Sequence, residues 1–202
     1  MQLSAPKRRI IGLTGGIATG KSTVSAYLTS RYGLPVLDAD VYARQAVAKG
    51  SEILGAIAHR YGTDILLTDG TLNRAKLGQI IFHNAEEKIW IEQQIHPFIR
   101  NKFKALTDTF APDQTLVYSI PLLFEANLTH LVTEIWVVAC DPAQQKERLM
   151  ARNQLSANEA QARIDAQMSL AEKCRQADHV LDNSGDQASV FSQVDNLLKP
   201  IS

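Results

Sequence analysis

The feature that most constrains this chain is a glycine-rich segment at residues 15–22, which reads Gly-Gly-Ile-Ala-Thr-Gly-Lys-Ser. It fits the pattern G-x-x-x-x-G-K-[ST] of a phosphate-binding loop. In such a loop the glycines let backbone N–H groups surround phosphate oxygens, the lysine adds positive charge, and the final hydroxyl binds Mg²⁺. The pattern therefore predicts that Lys21 contacts nucleotide phosphates and that Ser22 is a ligand of the metal ion.

The residues on either side of the loop support this interpretation. Residues 9–14 form a short apolar run typical of a strand, and residues 21–31 have helical spacing, with Val24 and Leu28 on one face. A helix that starts at the loop adds the positive end of its dipole to the site. The alternative is a glycine-rich turn followed by Lys-Ser by chance, but the flanking strand and helix favour nucleotide binding. The predicted nucleotide-binding residues of this segment are Gly15, Gly16, Ile17, Ala18, Thr19, Gly20, Lys21, Ser22 and Thr23.

Length and composition limit the remaining possibilities. The chain has 202 residues, which is enough for one α/β domain with an inserted subdomain. Lysine plus arginine equals aspartate plus glutamate, so no overall field attracts nucleic acid or acidic membranes, and we expect neither as a partner. Two distant cysteines, Cys140 and Cys174, suggest a reduced, cytoplasmic setting. No apolar run approaches the roughly 18 residues of a membrane span.

Strand and helix patterns alternate along most of the chain, which is typical of an α/β protein with a mostly parallel sheet. Strands are predicted at about 9–14, 34–38, 116–120, 133–139 and 179–182. Helices are predicted at 21–31, 39–48, from 142 onward, from 156 to about 169, and at 187–199. Asp141 is the expected N-cap of the helix that begins at Pro142, and residues 156–159 fit a capping box.

The alternation stops between about residues 51 and 111, where the periodic segments are all helical. The longest of them, residues 86–110, contains His96-Pro97, and because proline disfavours a helix interior we expect a kink or break there. This block reads as a helical insertion that could cover a substrate. We therefore divide the chain into a nucleotide-binding core, 1–49 and 112–202, and a helical domain, 50–111.

Asp38-Ala39-Asp40 follows the second predicted strand. Ligands of open α/β sheets bind beyond the carboxyl ends of the strands, so a carboxylate here can hold Mg²⁺ or accept a proton from a substrate hydroxyl. The alternative is that one of the two aspartates only caps the next helix. We favour Asp38 for the chemistry. The third strand ends in Ser119-Ile120-Pro121 and so lacks the acidic residue that holds Mg²⁺ in many P-loop ATPases, so a direct carboxylate ligand of the metal would come from Asp38 or Asp40.

Other candidates are less specific. Arg148 and Arg152 are four residues apart, so a helix places them on one face, where two guanidinium groups could meet phosphate as part of a closing lid. The alternative is a solvated basic face. Glu125 could contact Mg²⁺ or substrate, or cap a helix, and a lone histidine such as His96 is more often structural than catalytic. A guanine-reading Asn-Lys-x-Asp motif is missing, since Asn101-Lys102 lacks the aspartate.

Taken together, these segments resemble the dephospho-coenzyme A kinases over about residues 12–185. The segments that carry the resemblance are Leu13–Ile17 leading into Gly20–Val24, Asp38–Asp40 with Ala43-Arg44, Leu72–Arg74 with Leu77-Gly78, Ile95–Pro97 with Ile99, Pro121–Glu125, Gln145 with Arg148-Leu149 and Arg152, Arg163, Gln167, Ala177-Asp178, and Asp182-Asn183. One departure is Ala18-Thr19, where the family usually has Gly-Ser or similar small residues. Because alanine and threonine are small, we expect little effect.

The resemblance implies a P-loop NTPase three-layer fold with a five-stranded parallel sheet, a helical substrate-binding insertion for the coenzyme A substrate, and a lid at about 141–170. It implies ATP-dependent phosphorylation of the 3′-hydroxyl of dephospho-coenzyme A, the last step of coenzyme A synthesis, with Mg²⁺. Asp38 would be the general base and a metal ligand with Ser22. Arg148 and Arg152 would serve the lid, and Asn183 would lie near the adenine. Arg74 and His96 are substrate-binding candidates.

Two alternatives to this activity remain open. The first is another small-molecule kinase with the same core, acting on a nucleoside monophosphate or a different alcohol. The second is a nucleotide-dependent switch that phosphorylates nothing. Asp38 beside the loop and the two arginines argue against the second. The sequence says nothing about oligomeric state, for which a monomer is the favoured expectation.

Overall fold

A computed structural model describes residues 8–199 and has a five-stranded parallel sheet at its centre. The strands are β1 (Ile10–Gly15), β2 (Val36–Asp38), β3 (Leu116–Ser119), β4 (Glu134–Ala139) and β5 (His179–Asp182). Their order in the sheet is β2-β3-β1-β4-β5, and every pair is parallel. The predicted α/β fold with five parallel strands is confirmed.

Within the described residues there are nine α-helices. They are α1 (Lys21–Tyr32), α2 (Ala39–Ala46), α3 (Glu52–Tyr61), α4 (Arg74–His83), α5 (Ala85–Thr107), α6 (Pro142–Asn153), α7 (Ala157–Asp165), α8 (Leu170–Arg175) and α9 (Gln187–Leu198). Two 3₁₀ turns occur at Thr63–Ile65 and Thr129–Leu131. In this part of the chain no helix is long and apolar enough to cross a membrane.

The sheet topology brings three strand ends together at the phosphate loop. β1 lies between β3 and β4, and β2 pairs with the outer side of β3. The register places Asp38, the last residue of β2, directly opposite Ser119, the last residue of β3. Ser119 in turn pairs with Leu13, two residues before β1 enters the loop. Because all strands are parallel, the carboxyl end of each faces the same edge of the sheet.

Alternating residues of the strands build the core that anchors this edge. Ile11 and Leu13 of β1 are fully buried, and they cluster with Val24 and Leu28 of α1. Trp136 of β4 belongs to the same cluster. Successive strand residues point to opposite faces, so Ile11 and Leu13 share one face, which α1 covers. The loop is therefore fixed at both ends by buried residues.

The chain divides into two compact units, one formed by residues 1–38 and 111–202 and the other by Ala39–Phe110. The second unit is helical, and its core includes Ile57, Ile65 and Ile91. It begins at Ala39 rather than near residue 50, because α2 packs against α5 of the same unit, where Tyr42 meets Phe103 edge to face.

Two predicted features of the helices differ in the structure. Helix α5 runs without a break from Ala85 to Thr107, with Pro97 inside it. Proline removes one backbone N–H, and α5 tolerates this loss because Ile91 and Phe103, on either side of Pro97, are buried against the rest of the unit.

The predicted helix from residue 156 to about 169 is wrong at its end. Its start is confirmed, since Ser156 and Glu159 form a capping box. However, α7 ends at Asp165, and a separate short helix, α8, begins after Ser169, whose side chain accepts a hydrogen bond from the Glu172 N–H. A second N-cap thus replaces the continuation of the first helix.

Candidate active site

The phosphate loop leaves β1 at Gly15 and enters α1 at Lys21. Two of its residues have left-handed backbone angles, Gly20 with φ 101° and Ala18 with φ 62°. Glycine adopts such angles freely, whereas an alanine there costs on the order of 1–2 kcal/mol. Ala18 therefore bears backbone strain that a glycine at the same position would not. The small size of the alanine side chain does not remove this strain.

The loop has several free backbone donors. Within residues 8–199, the N–H groups of Ala18, Gly20, Lys21 and Ser22 have no hydrogen-bond partner. Amides left free by alternating left-handed and right-handed residues form a concave anion site, and a helix N-terminus adds to its positive potential. Ile17 differs, because its N–H donates to the side-chain Oε1 of Gln167 at 2.9 Å. Four of the predicted nucleotide-binding residues thus offer amides to an anion.

Lys21, Ser119 and Asp38 form a chain of polar contacts beside the loop. The Lys21 Nζ donates to Ser119 Oγ at 2.5 Å, and Ser119 Oγ donates to Asp38 Oδ2 at 2.8 Å. The Lys21 ammonium also lies 3.7 Å from Asp38 Oδ2. Ser119 is fully buried, while the Asp38 side chain is 27% exposed. The carboxylate is therefore hydrogen-bonded to a buried serine and is itself partly exposed.

The far side of the loop is held by the end of β5. Asn183 is buried and its Nδ2 donates to the carbonyl of Thr19 at 2.8 Å. Arg148 of α6 donates to the Asn183 carbonyl at 3.1 Å and approaches Gln144 Oε1 at 3.4 Å. Arg148 therefore lies next to the residue that supports the loop, while Asn183 uses its side chain on the backbone of Thr19.

A buried lysine, Lys173, contacts the first residue of the loop. The Lys173 side chain of α8 has no exposed surface, and its Nζ makes an ion pair with Glu125 Oε1 at 2.9 Å. The same Nζ donates to the carbonyls of Pro121 at 3.0 Å and Gly15 at 3.4 Å. Glu125 Oε1 also accepts the N–H of Met168 at 3.0 Å. Glu125 is thus engaged in holding α8 against the first residue of the loop.

The other predicted residues are placed on exposed positions. Arg152, near the end of α6, donates to Asn153 at 2.9 Å. In the helical unit, Arg74 is the first residue of α4 and His96 lies in α5. Asp40 is in the first turn of α2. Of these residues, Arg152 belongs to the same compact unit as the loop and takes no part in the loop contacts described above.

Two side chains near the loop, Cys140 and Asp182, have shifted pKa values. Burial raises the pKa of the Cys140 thiol, with the guanidinium of Arg148 opposing this effect. The raised pKa favours the protonated thiol, which is the less reactive form of cysteine. Hydrogen bonds from Ser184 hold the pKa of Asp182 below its usual value, so this carboxylate at the end of β5 stays charged.

Sequence reasoning missed the roles of Ser119 and Lys173. Ser119 was noticed only as the residue that stands where an acid is common, although the register with Asp38 makes it the natural partner of that aspartate. Lys173 gave no signal, since a lysine in a short helix rich in charged residues is usually solvated. Its burial depends on carbonyl groups contributed by distant parts of the chain.

A phosphate loop between the central strand of a parallel sheet and a helix, with a carboxylate at the next strand end, defines a P-loop kinase fold. Residues 9–189 match the family described as dephospho-CoA kinase. A curated dephospho-CoA kinase from Synechocystis sp. is 59% identical over 96% of this chain and 96% of its own length. The chain therefore belongs to the dephospho-CoA kinase family, whose members are transferases that catalyse the final step of coenzyme A biosynthesis.

Solved structures agree with this assignment. A protein from Thermus thermophilus superposes with a TM-score of 0.82 at 32% identity, covering 97% of this chain and 99% of that one. A dephospho-CoA kinase from Campylobacter jejuni superposes with a TM-score of 0.66 at 27% identity, covering 94% of each chain. The similarity extends over the whole fold rather than the phosphate loop alone.

Proposed function

We propose that this chain transfers the γ-phosphoryl group of ATP to the 3′-hydroxyl of dephospho-CoA, with the phosphate loop as the donor site and Asp38 as the group that accepts the hydroxyl proton. Family membership supports ATP as donor and dephospho-CoA as acceptor. The single observation that supports the residue roles is the Lys21–Ser119–Asp38 chain next to the loop.

ATP binding is assigned to the loop and Lys21. The four unpaired amides offer hydrogen bonds to phosphate oxygens, and in phosphoryl transfer such positioning and charge compensation supply most of the catalysis. The Lys21 ammonium donates to Ser119 Oγ at 2.5 Å. Its side chain can leave this contact for the β- and γ-phosphates, which would free Ser119 and Asp38 to face the acceptor.

Mg²⁺ is assigned to Ser22 and Asp38. Among residues 8–199 no group of three or more His, Cys, Asp or Glu could hold a metal ion. One hydroxyl and one carboxylate nevertheless suit Mg²⁺, which keeps several waters and takes its remaining oxygens from substrate phosphates. Bound there, the ion would offset negative charge on the phosphate oxygens.

Asp38 is proposed as the general base because its neighbours hold its carboxylate in one orientation. Ser119 Oγ donates to Asp38 Oδ2 at 2.8 Å, and the Lys21 ammonium lies 3.7 Å from the same oxygen. The exposed fraction of its side chain leaves room for a hydroxyl group to approach. As the ribose oxygen forms its bond to the γ-phosphorus, the bond from that phosphorus to the β-γ bridging oxygen breaks and ADP leaves, and the hydroxyl proton passes late to the carboxylate.

Arg148 and Arg152 are proposed to belong to a lid formed by residues 141–170. Closure over the donor would exclude water, which otherwise competes with the ribose hydroxyl as acceptor. Arg148 would then stabilise the transferring phosphoryl group. We also propose that Arg74 and His96 bind the substrate and that Asn183 lies near the adenine. The monomeric state and the cytoplasmic location remain predictions.

The proposed reaction is tested by the acceptor that supports ADP release. The protein is incubated with ATP and Mg²⁺ and either dephospho-CoA, a nucleoside monophosphate, adenosine or no acceptor, and ADP is followed in a coupled assay. We expect ADP release with dephospho-CoA only, and mass spectrometry should locate the new phosphate on the 3′-oxygen. Phosphorylation of a nucleoside monophosphate instead would identify a different small-molecule kinase. Nucleotide binding with no acceptor phosphorylated would identify a switch.

Replacing Lys21 by alanine is expected to weaken both ATP binding and turnover. Loss of a charge-assisted hydrogen bond to phosphate should raise the dissociation constant of ATP by about tenfold or more. ATP titration of the folded variant measures this effect. Lys104→Ala is the matched control, because Lys104 is exposed and pairs with Asp108 at the end of α5. Unchanged ATP affinity in Lys21→Ala would argue against the loop as the phosphate site.

A further inference from the structure

Both backbone groups of Ile17, in the middle of the phosphate loop, are bound by glutamine side chains. The Ile17 N–H donates to Gln167 Oε1 at 2.9 Å, and the Ile17 carbonyl accepts from Gln145 Nε2 at 2.8 Å. Gln145 lies in α6 and Gln167 in the bend between α7 and α8. The loop residue is therefore held from two separate elements of the segment 141–170.

The contact with Gln145 is built into the packing of the loop. Gln145 is only 4% exposed, and a buried side-chain amide is costly unless it is hydrogen-bonded. A Cβ atom at Gly16 would lie 2.6 Å from Gln145 Nε2, closer than real contacts allow. The second glycine of the loop thus makes room for the amide to reach the next residue. This explains the glycine at a position that the phosphate-loop pattern leaves free.

The two contacts determine which amides of the loop remain free for an anion. The Ile17 N–H is used by Gln167, whereas the N–H groups of Ala18, Gly20, Lys21 and Ser22 have no partner in the described part of the chain. With both its N–H and its carbonyl bound, the Ile17 residue cannot reorient without breaking a hydrogen bond. The strained turn at Ala18 that follows is thereby kept in its left-handed conformation.

We infer that Gln145 and Gln167 are positioning residues for ATP, which hold the phosphate loop in its anion-binding shape by binding both backbone groups of Ile17. This inference rests on the proposed function for its substrate, ATP. Preorganising the loop in this way lowers the conformational cost of binding, since the amides need no rearrangement when phosphate arrives. The two glutamines also connect the segment 141–170 to the loop, so a displacement of that segment would change the affinity for ATP.

The test uses methionine in place of each glutamine, because methionine has a similar length but cannot form these hydrogen bonds. Gln145→Met and Gln167→Met are compared with Gln161→Met, because Gln161 is an exposed residue of α7 whose amide donates to Asp165 of the same helix. Each of the two loop-binding variants should raise the dissociation constant of ATP by about fivefold, the effect of one ordinary hydrogen bond. KM for dephospho-CoA should stay unchanged. Amide hydrogen exchange at Ile17 should be faster in Gln167→Met.

A purely structural role makes a different prediction. Under that role the free energy of unfolding falls in urea while the ATP dissociation constant and the Ile17 exchange rate match those of Gln161→Met, and this result would overturn the inference. Gln167 is partly exposed, so its variant decides the matter if the buried Gln145→Met does not fold. If the unaltered protein fails to phosphorylate dephospho-CoA, the proposed function fails, but ATP binding and exchange still test the glutamines.

Discussion

An Asp38→Asn variant should bind ATP and remain folded but lose turnover by about 10²- to 10⁴-fold, the usual contribution of a general base. Asparagine keeps an oxygen that can accept the hydrogen bond from Ser119 Oγ, so the site should retain its shape. It cannot take a proton from the ribose hydroxyl. Steady-state kcat with saturating ATP and dephospho-CoA measures the loss, and ATP titration shows that the donor site survives.

A control variant and a Mg²⁺ titration separate loss of the general base from other causes of low turnover. Asp186→Asn exchanges the N-cap of α9 for an equally good one, and it should leave kcat unchanged. Because Asp38 is also proposed as a Mg²⁺ ligand, kcat of Asp38→Asn is measured across a Mg²⁺ titration. Near-normal turnover, or full recovery at high Mg²⁺, would contradict the assignment of Asp38 as general base.

Most of the sheet could be predicted from sequence because its strands are short apolar runs that the fold buries. All four residues of β3 are buried, which is why residues 116–120 stand out as a strand. The order of the strands could not be predicted in the same way. That order requires β3, which follows the helical unit in the sequence, to insert between β2 and β1, and local patterns carry no information about this choice.

The errors in the helices have local physical causes. Ser169-Leu170-Ala171-Glu172 is itself a helix N-terminus pattern, so α8 was readable as a separate helix. The sequence did not separate α8 from α7, because apolar residues continue at helical spacing through Ile164 and Met168. Pro97 predicted a kink or break, yet α5 continues through it as one helix, with buried residues on both sides. Tertiary packing decided this case over local preference.

The site itself was predictable to the extent that its residues are contiguous or end a strand. The loop at 15–22 is one motif, and Asp38 follows from the rule that strand ends carry ligand contacts. Ser119 and Lys173 lie 98 and 158 residues away from the loop residues they contact, Lys21 and Gly15. Only the fold reveals such partners. Lys173 is the stronger example, since nothing in its sequence surroundings distinguishes it from a surface lysine.

The second large expected effect is a loss of stability, and it follows from the burial of Lys173. Glu125→Ala removes the carboxylate that pairs with the Lys173 ammonium, which has no exposed surface. Breaking a buried ion pair from one side typically costs about 3–5 kcal/mol of the free energy of unfolding. This is a large share of the roughly 5–15 kcal/mol that stabilises a folded domain. Urea denaturation of Glu125→Ala against the unaltered protein measures the loss.

The converse replacement should be less costly, and the comparison separates charge from packing. Lys173→Met removes the buried charge but keeps most of the side-chain volume, and the partly exposed Glu125 can still be hydrated. We expect a loss of about 1–3 kcal/mol, from the hydrogen bonds to Gly15 and Pro121. Glu92→Ala serves as the control, since its pair with Lys88 is exposed and contributes about 0–1 kcal/mol. If Glu125→Ala costs no more than Glu92→Ala, the ammonium of Lys173 does not need its carboxylate, and its two carbonyl contacts alone must compensate for its burial.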